Sequence, residues 1–409
     1  LAFCFGMVAF TWLAPGVSVF YSMKLAMVGF AIATAFLAIL KERGPLAPWK
    51  PALTAIALAA ACVFVPSGFD ASYVTPGQPN ALYPVRAMRS NGANTTYVVA
   101  APDGDRLYFD NHSMSGTNRA AQVYMRLMAH FPLLAHPSPR QALLICFGVG
   151  NTADAISCHA GLEGLDVVDL NDKVIATAPE FERYNHGVYA DPRLRFIHDD
   201  GRSYLNTTGK RYDLITSEPP PPLYAGVYRL YSREYYERVL EKLTEDGLMS
   251  QWLPVHEMPQ AAVDLAVATF VETFPHTLIF VGTELEFILV GSPAPIDLDR
   301  IEERFHDDER VVRDLARIGV RDPLQLLARV SGTHAQLQAG FGGGRTISDQ
   351  NNDLTYVFAE PLAPGEIAVD PLATADELAP ESGPLRELFT HLGKLRYLAE
   401  YPFESLATV

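Results

Sequence analysis

The chain has 409 residues, 49% of them hydrophobic, and a formal net charge of −15 at pH 7. That length exceeds what one hydrophobic core serves, so a large domain and something more are expected. The negative charge, with no basic run anywhere, excludes a nucleic-acid partner, because phosphate binding needs clustered cations.

Residues 1–66 carry only Lys24, Lys41, Glu42, Arg43 and Lys50 as charged residues, whereas the remainder has ordinary soluble composition. Val17 to Leu40 is an apolar stretch of 24 residues, long enough to cross a hydrocarbon core of about 30 Å. Lys24 interrupts it near one end, where a lysine snorkels towards the headgroups. Pro51 to Val65 reads as a second, shorter span, and residues 1–14 as the tail of a further one. The cations Lys41, Arg43 and Lys50 put the loop between the better spans in the cytoplasm and the large domain on the outer, periplasmic face. The partners expected are the lipid bilayer and other membrane protein subunits. Cys4 and Cys62 lie in the apolar segments, and Cys146 and Cys158 lack metal-site spacing, so all four read as buried thiols and no metal is expected.

Residues 67–92, rich in Pro, Gly, Asn and Ser without a period, read as a linker. Residues 93–140 read as a small β unit and a helix. Thr95 to Ala100 and Arg106 to Phe109 are β-prone runs around the turn Pro102-Asp103-Gly104-Asp105, and Arg119 to His130 has helical spacing. From 141 to 292 strand-length apolar runs alternate with helical patterns: strands at Leu143 to Phe147, Leu165 to Leu170, Leu194 to His198, Tyr212 to Thr216 and Leu248 to Leu253, helices at Thr152 to His159, Lys173 to Phe181 and Arg233 to Leu243. Such alternation predicts an α/β fold with a Rossmann-like, doubly wound parallel sheet. After the helix Ala262 to Phe274, His276 to Gly282 and Glu286 to Gly291 are expected to pair antiparallel at the sheet edge. Residues 293–409 read as mostly helical, with Ile301 to Ile318 and Pro323 to Val330 as helices.

The strand Leu143 to Phe147 runs into Gly148-Val149-Gly150-Asn151-Thr152 and then a helix. Glycines in such a turn let backbone amides approach a ligand, and the helix N-terminus favours a carboxylate or phosphate. The next strand ends at Asp169, where an acidic side chain can accept both hydroxyls of a ribose, and the third ends in Asp199-Asp200-Gly201, a carboxylate for the adenine side. Gly148, Gly150, Asp169 and Asp200 are the candidate nucleoside residues. The competing reading makes Asp169 and Asp200 helix caps only.

The series LLICFGVGNTADA, VVDLNDKVI, DPRLRFIHDDGRSYL, YDLITSEPPPPLYAGVYRLYSREYYERVLEKLTEDGLMSQWLP and TISDQNND resembles the spermidine synthase family, polyamine aminopropyltransferases, in its membrane-attached branch. The resemblance implies a small N-terminal β domain and a seven-stranded sheet that binds decarboxylated S-adenosylmethionine or a close relative such as S-adenosylmethionine. Several positions depart from the family pattern. The aspartate of the glycine loop is matched by Val149, and the ribose glutamate by the shorter Asp169. The catalytic aspartate is matched by Ser217, a hydroxyl that cannot take a proton from an amine near neutral pH without a partner base. Glu218, one residue on, is the candidate base, and Tyr124 is the retained residue on the acceptor side. The acidic residues that hold a polyamine are matched by Ala120, Ala121 and Arg126, which predicts a neutral or repulsive channel and no polyamine synthesis.

Two readings stay open. One is a membrane-anchored transferase that uses S-adenosylmethionine or its decarboxylated form on an unknown acceptor. The other is a non-catalytic, spermidine-synthase-like subunit or scaffold of a membrane complex.

Overall fold

A computed structural model describes residues 84–90, 95–109 and 112–351, apart from 221, 223, 225, 284 and 285, together with 354 and 357. The apolar segments of 1–66 lie outside the described residues. Among the described residues no helix is long and apolar enough to cross a membrane. The chain divides into two compact units, Leu1–Ser115 and Gly116–Val409.

In the first unit, β1 (Val85–Ser90), β2 (Thr95–Ala101), β3 (Gly104–Phe109) and β4 (His112–Gly116) form a four-stranded sheet in chain order. The hairpin expected between β2 and β3 is present, and Tyr97 stacks on Tyr108 across it at 5.0 Å. The stretch read as a linker is corrected by β1, which pairs antiparallel with β2. Val85 and Met88, on either side of an irregularity in the pairing between Val85 and Ala87, pack against Tyr97, Val99 and Tyr108.

The second unit opens with α1 (Arg119–Ala135), capped by Asn118, whose side chain accepts from the Ala121 amide at 3.0 Å. Then follow β5 (Gln141–Ile145), α2 (Asn151–Ser157), β6 (Gly164–Asp169), α3 (Asp172–Thr177), α4 (Glu182–Asn185), β7 (Leu194–His198), α5 (Gly201–Thr207), β8 (Tyr212–Ser217), α6 (Arg233–Lys242), β9 (Leu243–Leu253) and α7 (Gln260–Thr273). The unit continues through β10 (His276–Thr283), β11 (Glu286–Ser292), α8 (Asp299–Arg304), α9 (Glu309–Arg317), α10 (Pro323–Leu327), β12 (Val330–Thr333) and α11 (His334–Phe341). The sheet has eight strands in the order β12-β10-β11-β9-β8-β5-β6-β7. β7, β6, β5, β8 and β9 run parallel and are joined by helical crossovers, as the alternation predicts.

The other half of the sheet departs from expectation. β10 and β11 pair antiparallel as expected and β11 lies antiparallel against β9, but β10 does not form the edge, because β12 pairs with it. The sheet is therefore mixed and has eight strands rather than seven. Val330-Ser331-Gly332-Thr333, read as the end of a helix and beyond, is the added strand; it is buried at Val330, and the Thr333–Gln336 capping box starts α11 immediately after it. The helix expected at Ile301 to Ile318 is two helices, because Asp308 accepts from the Arg310 amide at 2.9 Å and begins α9 afresh. β5 also ends two residues early. Cys146 has φ of +71°, a left-handed conformation that stops a strand.

The central strands are apolar on both faces, as parallel strands covered by helices must be. α1 and α2 pack on one face, with Phe131 stacked on Phe280 of β10 at 4.6 Å. α5, α6, α7 and α11 cover the other, where Tyr231, Tyr235 and Tyr236 are fully buried. Gly282 lets α1 settle onto β10: a Cβ there would stand 2.7 Å from the Cβ of Tyr124.

Candidate active site

At the ends of β5, β6 and β7 the chain builds one half of a crevice. After Cys146 the turn passes through Gly148 (φ +57°) and Gly150 (φ +90°) into α2. A Cβ at Gly150 would meet the Phe147 ring at 2.8 Å, so glycine is required by both space and conformation. Buried Asn185 donates to the carbonyls of Val149 and Ala178, each at 3.0 Å, and so ties the turn down. Val149 itself is buried and offers no polar group. Asp169 accepts from the amides of Phe147 and Asn171, each at 2.9 Å. A carboxylate has about four lone-pair directions, so these bonds leave capacity for ribose hydroxyls. Burial raises its pKa somewhat, against the two amide bonds. Asp200 caps α5, accepting from the Ser203 amide at 2.9 Å, so the cap reading holds for that oxygen. Leu170 beside Asp169 is 69% exposed, an apolar side chain on the crevice rim where a base could lie. The left-handed glycines and the partly engaged carboxylates thus fit a nucleoside.

The other half lies at the ends of β8, β9 and β11. Side chains alternate across a strand, so consecutive residues Ser217 and Glu218 turn to opposite faces. Ser217 is fully buried on the face of α6, paired in register with Gln251 and near Tyr235. Its hydroxyl, those of Tyr231, Tyr235 and Tyr236, and Gln251 Oε1 are buried close to one another but outside good hydrogen-bond geometry, with no carboxylate or imidazole bonded to any of them. Ser217 therefore has no base beside it.

Glu218 turns to the face of α1, where the Tyr124 hydroxyl donates to its Oε1 at 2.8 Å. Tyr124 stacks on Trp252 with centroids 5.7 Å apart and planes 11° apart. The Trp252 indole N–H donates to Glu286 Oε2. Burial, and then the charge of Glu286, push the Glu218 carboxyl up to about 8 despite the Tyr124 bond. Tyr124 is raised well above the usual phenol range by burial and by Glu218, Glu286 and Glu257. Between the two halves sits the Cys146 thiol, pushed well up by burial and by the charges of Asp169, Glu218 and Asp200. The candidate nucleoside carboxylates and the candidate base thus surround one side chain.

Arg126 requires a correction. It was expected to present a cation to the acceptor channel, yet it is 2% exposed and pairs with Asp314 at 2.7 Å and Asp154 at 2.8 Å. Its charge is neutralised inside the unit and repels nothing. Arg126 also holds Gln122, which donates to Asn151 at the start of α2. His130 bonds Asp314 at 2.9 Å and His159 at 3.0 Å, extending a buried polar network from α1 to α9. Ala121 is buried and Ala120 half-buried, so neither presents a polar group.

Sequence reasoning missed Glu286, Leu170 and Asp314. Glu286 opens the otherwise apolar strand EFILVGS on the same face as Ile288, which pairs with Trp252; a lone carboxylate in such a strand was the available signal. Asp314 had none, since its partner lies 188 positions away. In the described part of the motif TISDQNND, residues 346–351, Asp349 pairs with Arg202 of α5 and accepts from Ser232, the cap of α6, at 3.1 Å.

Residues 121–275 match the spermine/spermidine synthase domain. A polyamine aminopropyltransferase of Methanocaldococcus jannaschii is 32% identical over 148 residues, 36% of this chain and 50% of that protein. One of Hamiltonella defensa is 32% identical over 139 residues, 34% of this chain and 48% of that protein. The chain spans about half the length of the curated relatives it matches. The crystal structure of spermidine synthase from Thermotoga maritima superposes with a TM-score of 0.49 at 22% identity, over 55% of this chain and 78% of that one. Tyr124, Gly148, Gly150, Asp169, Asp200, Glu218 and Trp252 fall inside the matched segment and Glu286 and Asp314 outside it. The segment from within α1 to just past α7, residues 121–275, is thus similar to the spermine/spermidine synthase domain.

Proposed function

We propose that this protein is a membrane-anchored transferase that alkylates an amine, with decarboxylated S-adenosylmethionine or S-adenosylmethionine as donor. The observation that carries the reading is the Tyr124–Glu218 bond, a high-pKa carboxylate held at the acceptor end of a crevice whose other end fits a nucleoside. The donor, when bound, supplies an electrophilic carbon on a sulfonium. Asp169 holds the ribose, the Gly148–Gly150 turn lets the backbone approach it, and Asp200 faces the adenine side. As the uncharged acceptor nitrogen forms its new N–C bond, the donor's C–S bond breaks and a neutral thioether leaves; Glu218 in its ionised form takes the proton the nitrogen then sheds, and Tyr124 orients that carboxylate. A base whose pKa is near the working pH suits this task. The carboxylates of Glu218 and Glu286 favour a cationic acceptor, and with Arg126 neutralised the amine class includes polyamine precursors. The apolar segments 17–40 and 51–65 support attachment to a bilayer, and the cations between them support an outer-face domain.

The test is incubation of the purified full-length chain with either donor and a panel of mono- and diamines, including 1,4-diaminobutane, with mass detection of the alkylated amine. Alkylation by either donor is expected, and its absence with all amines rejects the reading. A second reading, a non-catalytic subunit, is favoured by one observation: the cations between the apolar segments 17–40 and 51–65 support an outer-face domain, away from the cytosolic supply of the donor. Alkaline phosphatase fused after Asp70 reports the side of the domain, because that enzyme is active only where its disulfides form. Activity is expected, and it would weigh towards the subunit if no amine is alkylated.

A further inference from the structure

We propose that Glu286 is a positioning residue of the transfer site: its carboxylate anchors the Trp252 indole, and through the stacked Tyr124 ring it sets the hydroxyl that holds Glu218. The inference rests on the transferase reading for its purpose, but its geometry stands independently. Four side chains from four places in the unit form one line. Glu286 stands at the start of β11, Trp252 near the end of β9, Tyr124 on α1 and Glu218 just after β8.

Each link constrains a different freedom. The indole N–H on Glu286 fixes the in-plane rotation of Trp252. The nearly parallel stack, at 11°, then fixes the plane of Tyr124. Because Gly282 has no Cβ, Tyr124 can sit close against β10, and its hydroxyl reaches Glu218 at 2.8 Å. Trp252, Tyr124 and Glu286 are each less than a tenth exposed, so water does not substitute readily for any link. The carboxylate of Glu286 also acts through space on Glu218, raising its proton affinity. The titratable groups that act on or feel Glu218 are Tyr124 from α1, Glu286 from β11 and Cys146 from the loop after β5, and Glu257 from the turn after β9 acts on Tyr124. Of these, Glu286 is the one joined to Glu218 through a continuous chain of contacts that begins outside the matched domain.

Trp252 provides a readout that needs no turnover. The chain has three tryptophans, Trp12, Trp49 and Trp252, so the fluorescence difference between the unaltered protein and Trp252→Phe isolates one indole. In the full-length chain in detergent, this difference signal should titrate with a midpoint near the Glu218 pKa of about 8, and the transition should vanish in Glu218→Gln. Glu286→Ala should uncouple Trp252 and flatten the transition. The conservative Glu286→Gln, which can still accept from the indole, should restore it with the midpoint lowered by about half a pH unit or more, since a negative neighbour is gone. A transition in Glu286→Ala like that of the unaltered protein, or no transition in the unaltered protein, overturns the proposal. Should Glu286→Ala fail to fold, an unmoved midpoint in Glu286→Gln overturns it. Failure of the transferase reading is recognised separately, as absence of alkylated amine from a protein whose indole titrates as described.

Discussion

At the ends of β5, β6 and β7 the polar side chains are answered by the fold: Asp169 by two backbone amides, Asn185 by two carbonyls, Arg126 by Asp314 and Asp154. At the ends of β8, β9 and β11, carboxylates are gathered against buried aromatics, and Glu218 is held where its charged form is disfavoured. In the first half backbone amides and ion pairs oppose the cost of burial, although the Asp169 carboxyl is still raised; in the second the Tyr124 bond opposes it less and Glu218 is pushed up to about 8. The difference separates binding from chemistry: a base that takes a proton near neutral pH must be kept somewhere it resists ionisation, at the expense of stability.

The contrast is open to attack at its strongest point first. Asp314→Ala leaves Arg126 buried with one partner fewer and should destabilise the unit by about 3–5 kcal/mol, read from denaturant unfolding. The Asp314 carboxyl is held far below its usual range, chiefly by His130 and Arg126 opposing its burial. Its stabilising contribution is therefore present above the unfolded pKa and lost as pH falls through the depressed folded one, and the variant should differ least from the parent in strong acid.

Asp169→Ala removes the acceptor for two backbone amides. It should cost about 1–3 kcal/mol for each amide left unsatisfied and weaken methylthioadenosine binding in calorimetry. A variant as stable as the parent would mean that the glycine turn is held by Asn185 alone.

Glu218→Gln should go the other way. Between about 4.5, the ordinary value, and about 8 the folded protein keeps a proton on Glu218 that the unfolded chain has lost. Stability then falls as pH rises through that window. The glutamine variant should melt higher than the parent at pH 9 and equally at pH 4. A lower melting temperature at pH 9 would break the comparison of the two halves.

The smallest effect concerns Tyr124→Phe. Loss of a hydrogen bond to the charged form should move the Glu218 titration upward by about half a pH unit, with little change in folding. An unmoved titration would remove Tyr124 from the site.

The glycine turn and the strand-end carboxylates were legible in the sequence because their determinants are local. Gly148, Gly150, Asp169 and Asp200 stand at or just after the ends of strands whose apolar runs announce them, and the parallel core follows from the alternation of strands and helices. The acceptor half was less so. That Glu218 and Ser217 face opposite ways follows from strand parity and was readable, but what each faces depends on α1 and α6, packed from distant segments. Arg126 misled for the same reason: its charge was visible and its partner, Asp314, was not. β12 and the break at Asp308 were missed because four residues of strand and one capping side chain leave little periodic signal.

The central claim is that the proton of the acceptor nitrogen goes to Glu218 and not to Ser217. Product formation by the unaltered protein, Ser217→Ala and Glu218→Gln, with one donor and one amine at pH 8, compares the two positions directly. Ser217→Ala should turn over within about threefold of the parent and Glu218→Gln should lose about 10²–10⁴-fold, the usual contribution of a general base. Retained activity in Glu218→Gln together with loss in Ser217→Ala would contradict the account.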